Sequence, residues 1–266
     1  MSLRSALAAA AAITLAPALP AFSQGAADVE SSGALTSGAM QMSDQERLDF
    51  RAEIRAYLLD NPEVIMEAVN LLEARKQEAQ VRADLALVAA NIDVLTDDGY
   101  SFVGGNPDGD ITVVEFMDYR CTFCRRAFPE VEELVNADGN IRFVVKEFPI
   151  LGPQSDLSAR FALSVQALHG DAVYKDVHDA LMQMQTDYTP ETLARLAEGF
   201  GLDAAAIEAG MDAPGIERII AANRLQADNL RITGTPTFII GGRMVRGYLQ
   251  LDQMEQIVAE EREMAG

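Results

Sequence analysis

Positive charge is scarce in this sequence. Its 266 residues carry 21 Lys and Arg against 41 Asp and Glu, a formal net charge of −20, and no basic run interrupts the acid. A phosphate backbone repels such a chain, which excludes nucleic acid as a partner. Cysteine and histidine are scarce too, with two of each. Cys121 and Cys124 close a very small loop, and a disulfide there constrains the unfolded state little, so the chain is not a disulfide-stapled scaffold. His169 and His178 lie nine residues apart on separate helical stretches and do not complete a zinc site. After the first 23 residues, no stretch reaches the ~20 apolar residues that a membrane-spanning helix needs. What is present is ordinary globular composition, 49% apolar and 23% charged, and enough length for one or two domains.

Residues 1–23 carry a single charge, Arg4, then an apolar run from Ala6 to Leu15 and the small-residue site Ala21-Phe22-Ser23. This predicts a secretory signal peptide and an exported protein. Residues 24–42, small and polar, predict a flexible leader. Ser43-Asp44-Gln45-Glu46 has the form of a capping box and predicts a helix from 43 to about Leu59. Asn61-Pro62 breaks it and opens a second helix, in which Ile65, Leu72, Ala79 and Ala86 recur every seven residues. That spacing suits either a coiled-coil seam or an amphipathic helix packed on its own chain. Turn clusters at 97–99 and 104–109 set a domain boundary near residue 95.

Beyond it, Ile111 to Met117 and Ile141 to Phe148 read as strands buried on both faces, with a helix between them that starts at the cysteines. Strand, helix and strand with a short return make a parallel unit. Residues 155–229 read as five helices, then strand character returns at 235–240 and 244–248, and Leu251 to Met264 reads as a last amphipathic helix. The predicted fold class is α/β: residues 43–95 form an N-terminal helical segment, and residues 96–266 a sheet domain with a helical insertion at about 155–229.

A C-x-x-C at the start of a helix places its first sulfur beside unpaired N–H groups, which stabilise a thiolate. Cys121 is therefore the expected nucleophile and Cys124 the thiol that resolves a mixed disulfide. Arg120, Arg125 and Arg126 flank the pair, either lowering the Cys121 pKa further or lying solvated on the outer face. Two thiolates at this spacing also suit copper(I), which makes non-catalytic copper binding the competing use. Glu115 and Lys146 are charges inside buried-type strands, expected to meet each other or to reach the active-site cavity, where a Glu can relay protons. Pro236 after Thr235 at the start of a strand points to a cis peptide that sets the Thr235 backbone against the sulfurs.

Together these residues resemble the DsbA-like thiol-disulfide oxidoreductases of bacterial cell envelopes. The resemblance runs from about Gly105 to Met264 through Gly-Asn-Pro-Asp at 105–108, Val-Val-Glu-Phe-Met-Asp-Tyr-Arg-Cys-Thr-Phe-Cys at 113–124, Lys-Glu-Phe-Pro at 146–149 and Gly-Thr-Pro-Thr-Phe at 234–238. It implies a thioredoxin fold with an inserted helical domain, a Cys121/Cys124 redox pair, Pro236 as the cis proline, and Glu115 with Lys146 as a buried acid and its basic partner. It also implies a periplasmic location, exported proteins as substrates, a membrane redox partner and no cofactor. Residues 50–80 are similar to the N-terminal extension of the ScsC branch, linked to suppression of copper sensitivity, where such extensions oligomerise catalytic domains. A homo-oligomer through residues 43–90, which favours isomerase work, is the corresponding expectation. Thr122-Phe123 supplies neither the Pro nor the His often found between the family's cysteines, so oxidising strength is not carried over.

Overall fold

The computed structural model describes residues 42–265, and the expected signal peptide and nearly all of the expected leader lie outside them. The chain divides into two compact units, one ending at Val64 and one beginning at Ile65. In the first, α1 (Asp44–Asp60) starts at the expected capping box: the Ser43 hydroxyl accepts from the Glu46 N–H, and the Glu46 carboxylate accepts from the Ser43 N–H at 2.8 Å. None of its residues is buried, and Leu48, Phe50, Ile54 and Tyr57 are exposed.

The long helix α2 (Glu63–Thr96) enters the second unit, where its last turns pack on the sheet. Val88 and Leu95 join Val114, Phe116, Val144 and Ile239 in one buried cluster. Asp84 accepts two hydrogen bonds from Arg246, at 2.5 and 2.9 Å, and Arg142 donates to the Thr96 carbonyl at 2.5 Å. The compact unit therefore starts some thirty residues before the turn clusters at 97–109. Of the seven-residue series, Ile65 and Leu72 are about half exposed, whereas the buried positions are Asp84, Val88 and Leu95.

The sheet has the order β1-β3-β2-β4-β5, with β1 (Phe102–Gly105), β2 (Ile111–Met117), β3 (Ile141–Glu147), β4 (Thr237–Ile240) and β5 (Arg243–Arg246). Only β2 and β3 are parallel, joined by α3 (Thr122–Asp138). Between β3 and β4 the chain builds α4 (Pro153–His169), α5 (Asp171–Gln183), α6 (Pro190–Gly199), α7 (Ala204–Gly210) and α8 (Pro214–Asn229); α9 (Leu251–Ala265) follows β5. This is the α/β arrangement expected, a small mixed sheet interrupted by a helical insertion.

Strand alternation sends successive side chains to opposite faces. Val113 and Met117 with Phe143 and Val145 face the core that includes α3, while Val114, Phe116 and Val144 face the core that includes α2. Glu115 lies opposite Val145 in the parallel register and Lys146 opposite Phe116, so the acid and the base fall on different faces. The expectation that Glu115 and Lys146 meet is thus corrected. Lys146, fully buried, pairs with Asp98 and donates to the Val94 carbonyl at 3.2 Å. Burial would raise the Asp98 pKa, but the Lys146 contact and the Ser101 and Tyr100 N–H groups bring it below the usual value.

Removing one partner of a buried ion pair leaves the other charge without compensation. Asp98→Ala is expected to cost about 3–5 kcal/mol in chemical denaturation. A loss below about 1 kcal/mol, the range of an exposed pair, would contradict the pairing.

Candidate active site

Cys121 caps α3. Its Sγ accepts from the Cys124 N–H at 3.4 Å, its N–H donates to the Asp118 carbonyl at 2.9 Å, and the residue is 6% exposed. Across from it the Thr235–Pro236 peptide is cis, and the Cys121 thiol donates to the Thr235 carbonyl at 3.1 Å. Cys124, one turn in, is fully buried, and both cysteines are free thiols. The Cys124 thiol hydrogen bond, then the Thr235 side chain and the Cys124 and Phe123 N–H groups, pull the Cys121 pKa down to about 6 against the opposing effect of burial. Burial, with Cys121 and Glu115 nearby, drives the Cys124 thiol far up.

Two of the three flanking arginines are engaged elsewhere. Arg125 donates to the Met182 carbonyl at 2.9 Å and to the Met184 carbonyl, tying α3 to the end of α5, and Arg126 stacks 4.5 Å from the Tyr248 ring centre. The Cys124 thiol first, then Thr235 and the N–H groups of the helix start, account for the low Cys121 pKa, and no arginine is among the causes.

Glu115 lies on the α3 face of the sheet, is 4% exposed, and has an Oε1 atom that is buried without a partner among the described residues. Burial first, then repulsion from Cys121, Glu132 and Glu147, pushes its carboxyl up to about 8. The structure therefore brings together Cys121, Cys124, Thr235, Pro236 and Glu115, and leaves Lys146 on the other side of the sheet.

Several residues of this region carry no signal of their own in the local sequence pattern. Asp118 is 2% exposed, and its carboxylate accepts from Arg120 N–H and Ile150 N–H, both at 2.8 Å, and from Leu151 N–H at 3.1 Å. It fixes the loop that carries Cys121 to the loop after β3. Glu147, Tyr119, Tyr174 and His178 form a buried polar group beside them. The two-residue period of β3 was the available signal: it places Glu147, not Lys146, on the face of Glu115. Phe123, between the cysteines, and Ile150 and Leu151, on the loop that Asp118 ties to the cysteine loop, are exposed apolar side chains. The cavity of about 330 Å³ bordered by Leu157, Phe161 and Leu193 lies in the helical insertion and shares no residue with the cysteine site.

Because the folded pKa of Cys121 lies below its ordinary 9.0, its thiolate contributes stability to the reduced protein that is present above pH 9.0 and is lost as pH falls through about 6. Ultraviolet thiolate absorbance of the reduced chain is expected to show a midpoint near 6 that Cys121→Ser removes. A midpoint at the value of an unperturbed thiol would contradict the capping geometry.

Comparison with known proteins agrees with this geometry. The pattern of the DSBA-like thioredoxin domain matches residues 112–259, and that of the copper resistance protein ScsC N-terminal domain matches residues 46–79. A thioredoxin-like oxidoreductase from Silicibacter pomeroyi is 40% identical, covers 64% of this chain and 97% of its own, and superposes with a TM-score of 0.61. Proteus mirabilis ScsC in a transitional conformation is 25% identical, over 84% of this chain and 98% of its own, with a TM-score of 0.61. A Na(+)/H(+) antiporter NhaA of Salinispora tropica is 29% identical over 194 residues, which are 72% of this chain but only 29% of that protein. With the match spanning more than half its length, the chain belongs to the DSBA-like thioredoxin domain family and carries a ScsC-type N-terminal domain.

Proposed function

We propose that this protein is an exported, periplasmic thiol-disulfide oxidoreductase that forms, isomerises or reduces disulfides in envelope proteins, with Cys121 as nucleophile and Cys124 as resolving thiol. The observation that carries this reading is the difference between the two sulfurs: one capping α3, slightly exposed and low in pKa, the other with no exposure and high in pKa. A structural disulfide has no use for such a difference, whereas exchange chemistry needs a thiolate that attacks and a thiol that waits.

In the reductive direction, the Cys121 thiolate attacks one sulfur of a substrate disulfide. The substrate S–S bond breaks, and its electron pair leaves on the other substrate sulfur, which takes a proton from water. Cys124 then gives its proton to the Glu115 carboxylate and attacks Cys121 Sγ, releasing the substrate thiolate and leaving a Cys121–Cys124 disulfide. Oxidation of a substrate dithiol is the same sequence reversed. In isomerisation a second substrate thiolate attacks the mixed disulfide instead, the Cys121 thiolate is released, and no net electrons pass. The Thr235 carbonyl and the peptide at Pro236 lie where a substrate backbone passes Cys121, and the exposed Phe123, Ile150 and Leu151 suit an unfolded chain. A membrane redox partner sets the resting state of the pair.

Residues 43–90 join copies of the chain in this reading. Support comes from exposed apolar side chains, among them Leu48, Phe50, Ile54, Ile65 and Leu72, on helices that leave them uncovered. An oligomer holds several Cys121 sites around one misfolded substrate, which favours isomerisation. Light scattering after size exclusion is expected to give a multiple of the chain mass, and a monomer at high concentration would overturn the assembly.

The redox assignment is tested with variants in disulfide-exchange assays. Cys121→Ser is expected to abolish exchange, Cys124→Ser to accumulate mixed disulfides with substrate, and Glu115→Gln to slow resolution at neutral pH by roughly tenfold or more. Wild-type protein that neither reduces nor oxidises a model substrate, with no species trapped by Cys124→Ser, would refute it.

A further inference from the structure

Glu147 closes β3 on the same face as Glu115. The register pairs Glu115 with Val145 and Met117 with Glu147, so the two carboxyls sit one strand and one pleat repeat apart. Glu147 is 2% exposed. Its Oε1 accepts hydrogen bonds from the hydroxyls of Tyr119 and Tyr174, each at 2.7 Å, and its Oε2 is buried without a partner among the described residues. The Tyr119 hydroxyl also lies 2.9 Å from His178 Nδ1.

The groups around Glu147 come from every element packed on it: Asp118 and Tyr119 from the β2–α3 loop, Glu115 from β2, Tyr174 and His178 from α5, and Asn223 of α8, which donates to the Glu147 backbone carbonyl at 2.9 Å. None of them is a cation at neutral pH, since burial pushes His178 down to about 3. Lys175, the charge that acts on His178, is already paired with Glu132 at 2.9 Å and Asp179 at 2.6 Å.

Tyr119 has one hydroxyl proton and two neighbours. When it donates to Glu147, His178 Nδ1 must present a hydrogen to the tyrosine oxygen. When it donates to His178, Glu147 must present one. Turning over this pair of hydrogen bonds lets the group hold Glu147 as carboxylate or as acid without moving a heavy atom. Two carboxyls buried on one face without a cation do not ionise independently, and the charge of either holds the proton on the other. Burial first, then Cys121, Glu132 of α3 and Glu147 raise Glu115, and burial carries Glu147 itself up to about 8, so both titrate in the same range.

We propose that Glu147, held by Tyr119 and Tyr174, is a positioning residue of the redox reaction: a second buried acid on the face of Glu115 that helps hold its proton, and through it shifts the pH at which Cys124 resolves a mixed disulfide. This rests on the reading of Glu115 as proton acceptor for Cys124. It assigns a role to a cluster that touches neither sulfur and that joins the cysteine loop to the helical insertion.

The test is the pH profile of resolution in the full-length chain, with thionitrobenzoate linked to Cys121 and its release followed by colour. Wild type is expected to inflect near 8, and Glu115→Gln to remove the inflection. Glu147→Gln is expected to move the inflection to lower pH by roughly half a unit or more, because a like charge is gone. Tyr174→Phe takes one donor from the Glu147 carboxylate, keeps that group protonated and moves the inflection the same way, so it decides the matter if Glu147→Gln does not fold. If Glu115→Gln removes the inflection while Glu147→Gln, or Tyr174→Phe in its place, leaves it where wild type has it, the role of Glu147 is overturned and that of Glu115 stands. If Glu115→Gln leaves the inflection intact, both fall. A Glu147 that only supports the fold would lower the melting temperature and leave the inflection in place.

Discussion

The sulfur of Cys121 at the first turn of α3 is the contact on which the rest of this structure turns. A helix start has N–H groups with no carbonyl to bond, and here a thiolate is offered to them. The parallel β2–α3–β3 unit delivers that helix start to the end of the sheet. β4, antiparallel to β2, brings the Thr235 carbonyl and the cis peptide to the other side of the sulfur. Once the first sulfur is placed in this way, helical spacing carries the second into the core. Two chemically identical side chains then acquire opposite proton affinities.

The buried charges follow from the same sheet. Parallel strands buried on both faces have no wet side for an acid or a base, so each one must find a partner or hold its proton. Lys146 finds Asp98 and the end of α2 on one face. Glu115 and Glu147 share the other face and, among the described residues, are surrounded by thiols, tyrosines and a neutral histidine with no cation paired to them. The back of the sheet is thus held by an ion pair, and the front keeps exchangeable protons close to the sulfurs. Arg125 and Asp118 complete the arrangement by fastening the cysteine loop and helix to the loop after β3 and to the end of α5.

Much of this was legible in the residues. The capping box at Ser43, the two apolar strand runs, the glycines and prolines that punctuate the insertion, and C-x-x-C at a strand-to-helix junction each carry their own local physics. Glu115 and Pro236 stood out because a charge in an apolar run and a proline at a strand start both need an explanation. What stayed hidden was what depends on facing. Lys146 and Glu147 are neighbours in sequence, and only the alternation of β3, set by its register with β2, decides which of them meets Glu115. His178 looked solitary because its hydrogen-bond partner, Tyr119, lies 59 residues earlier in the chain. The last turns of α2 read like the turns before them, and their packing on the sheet depends on Arg142, Lys146 and Arg246, which no local pattern could connect to that helix.

The asymmetry between the sulfurs is tested most directly by mapping where a thiol reagent goes. Reduced, folded protein treated briefly with iodoacetamide near neutral pH and digested for mass spectrometry should carry the label on Cys121 alone, with Cys124 labelled only after denaturation. Equal labelling of the two cysteines in the folded protein, or preference for Cys124, would contradict the account.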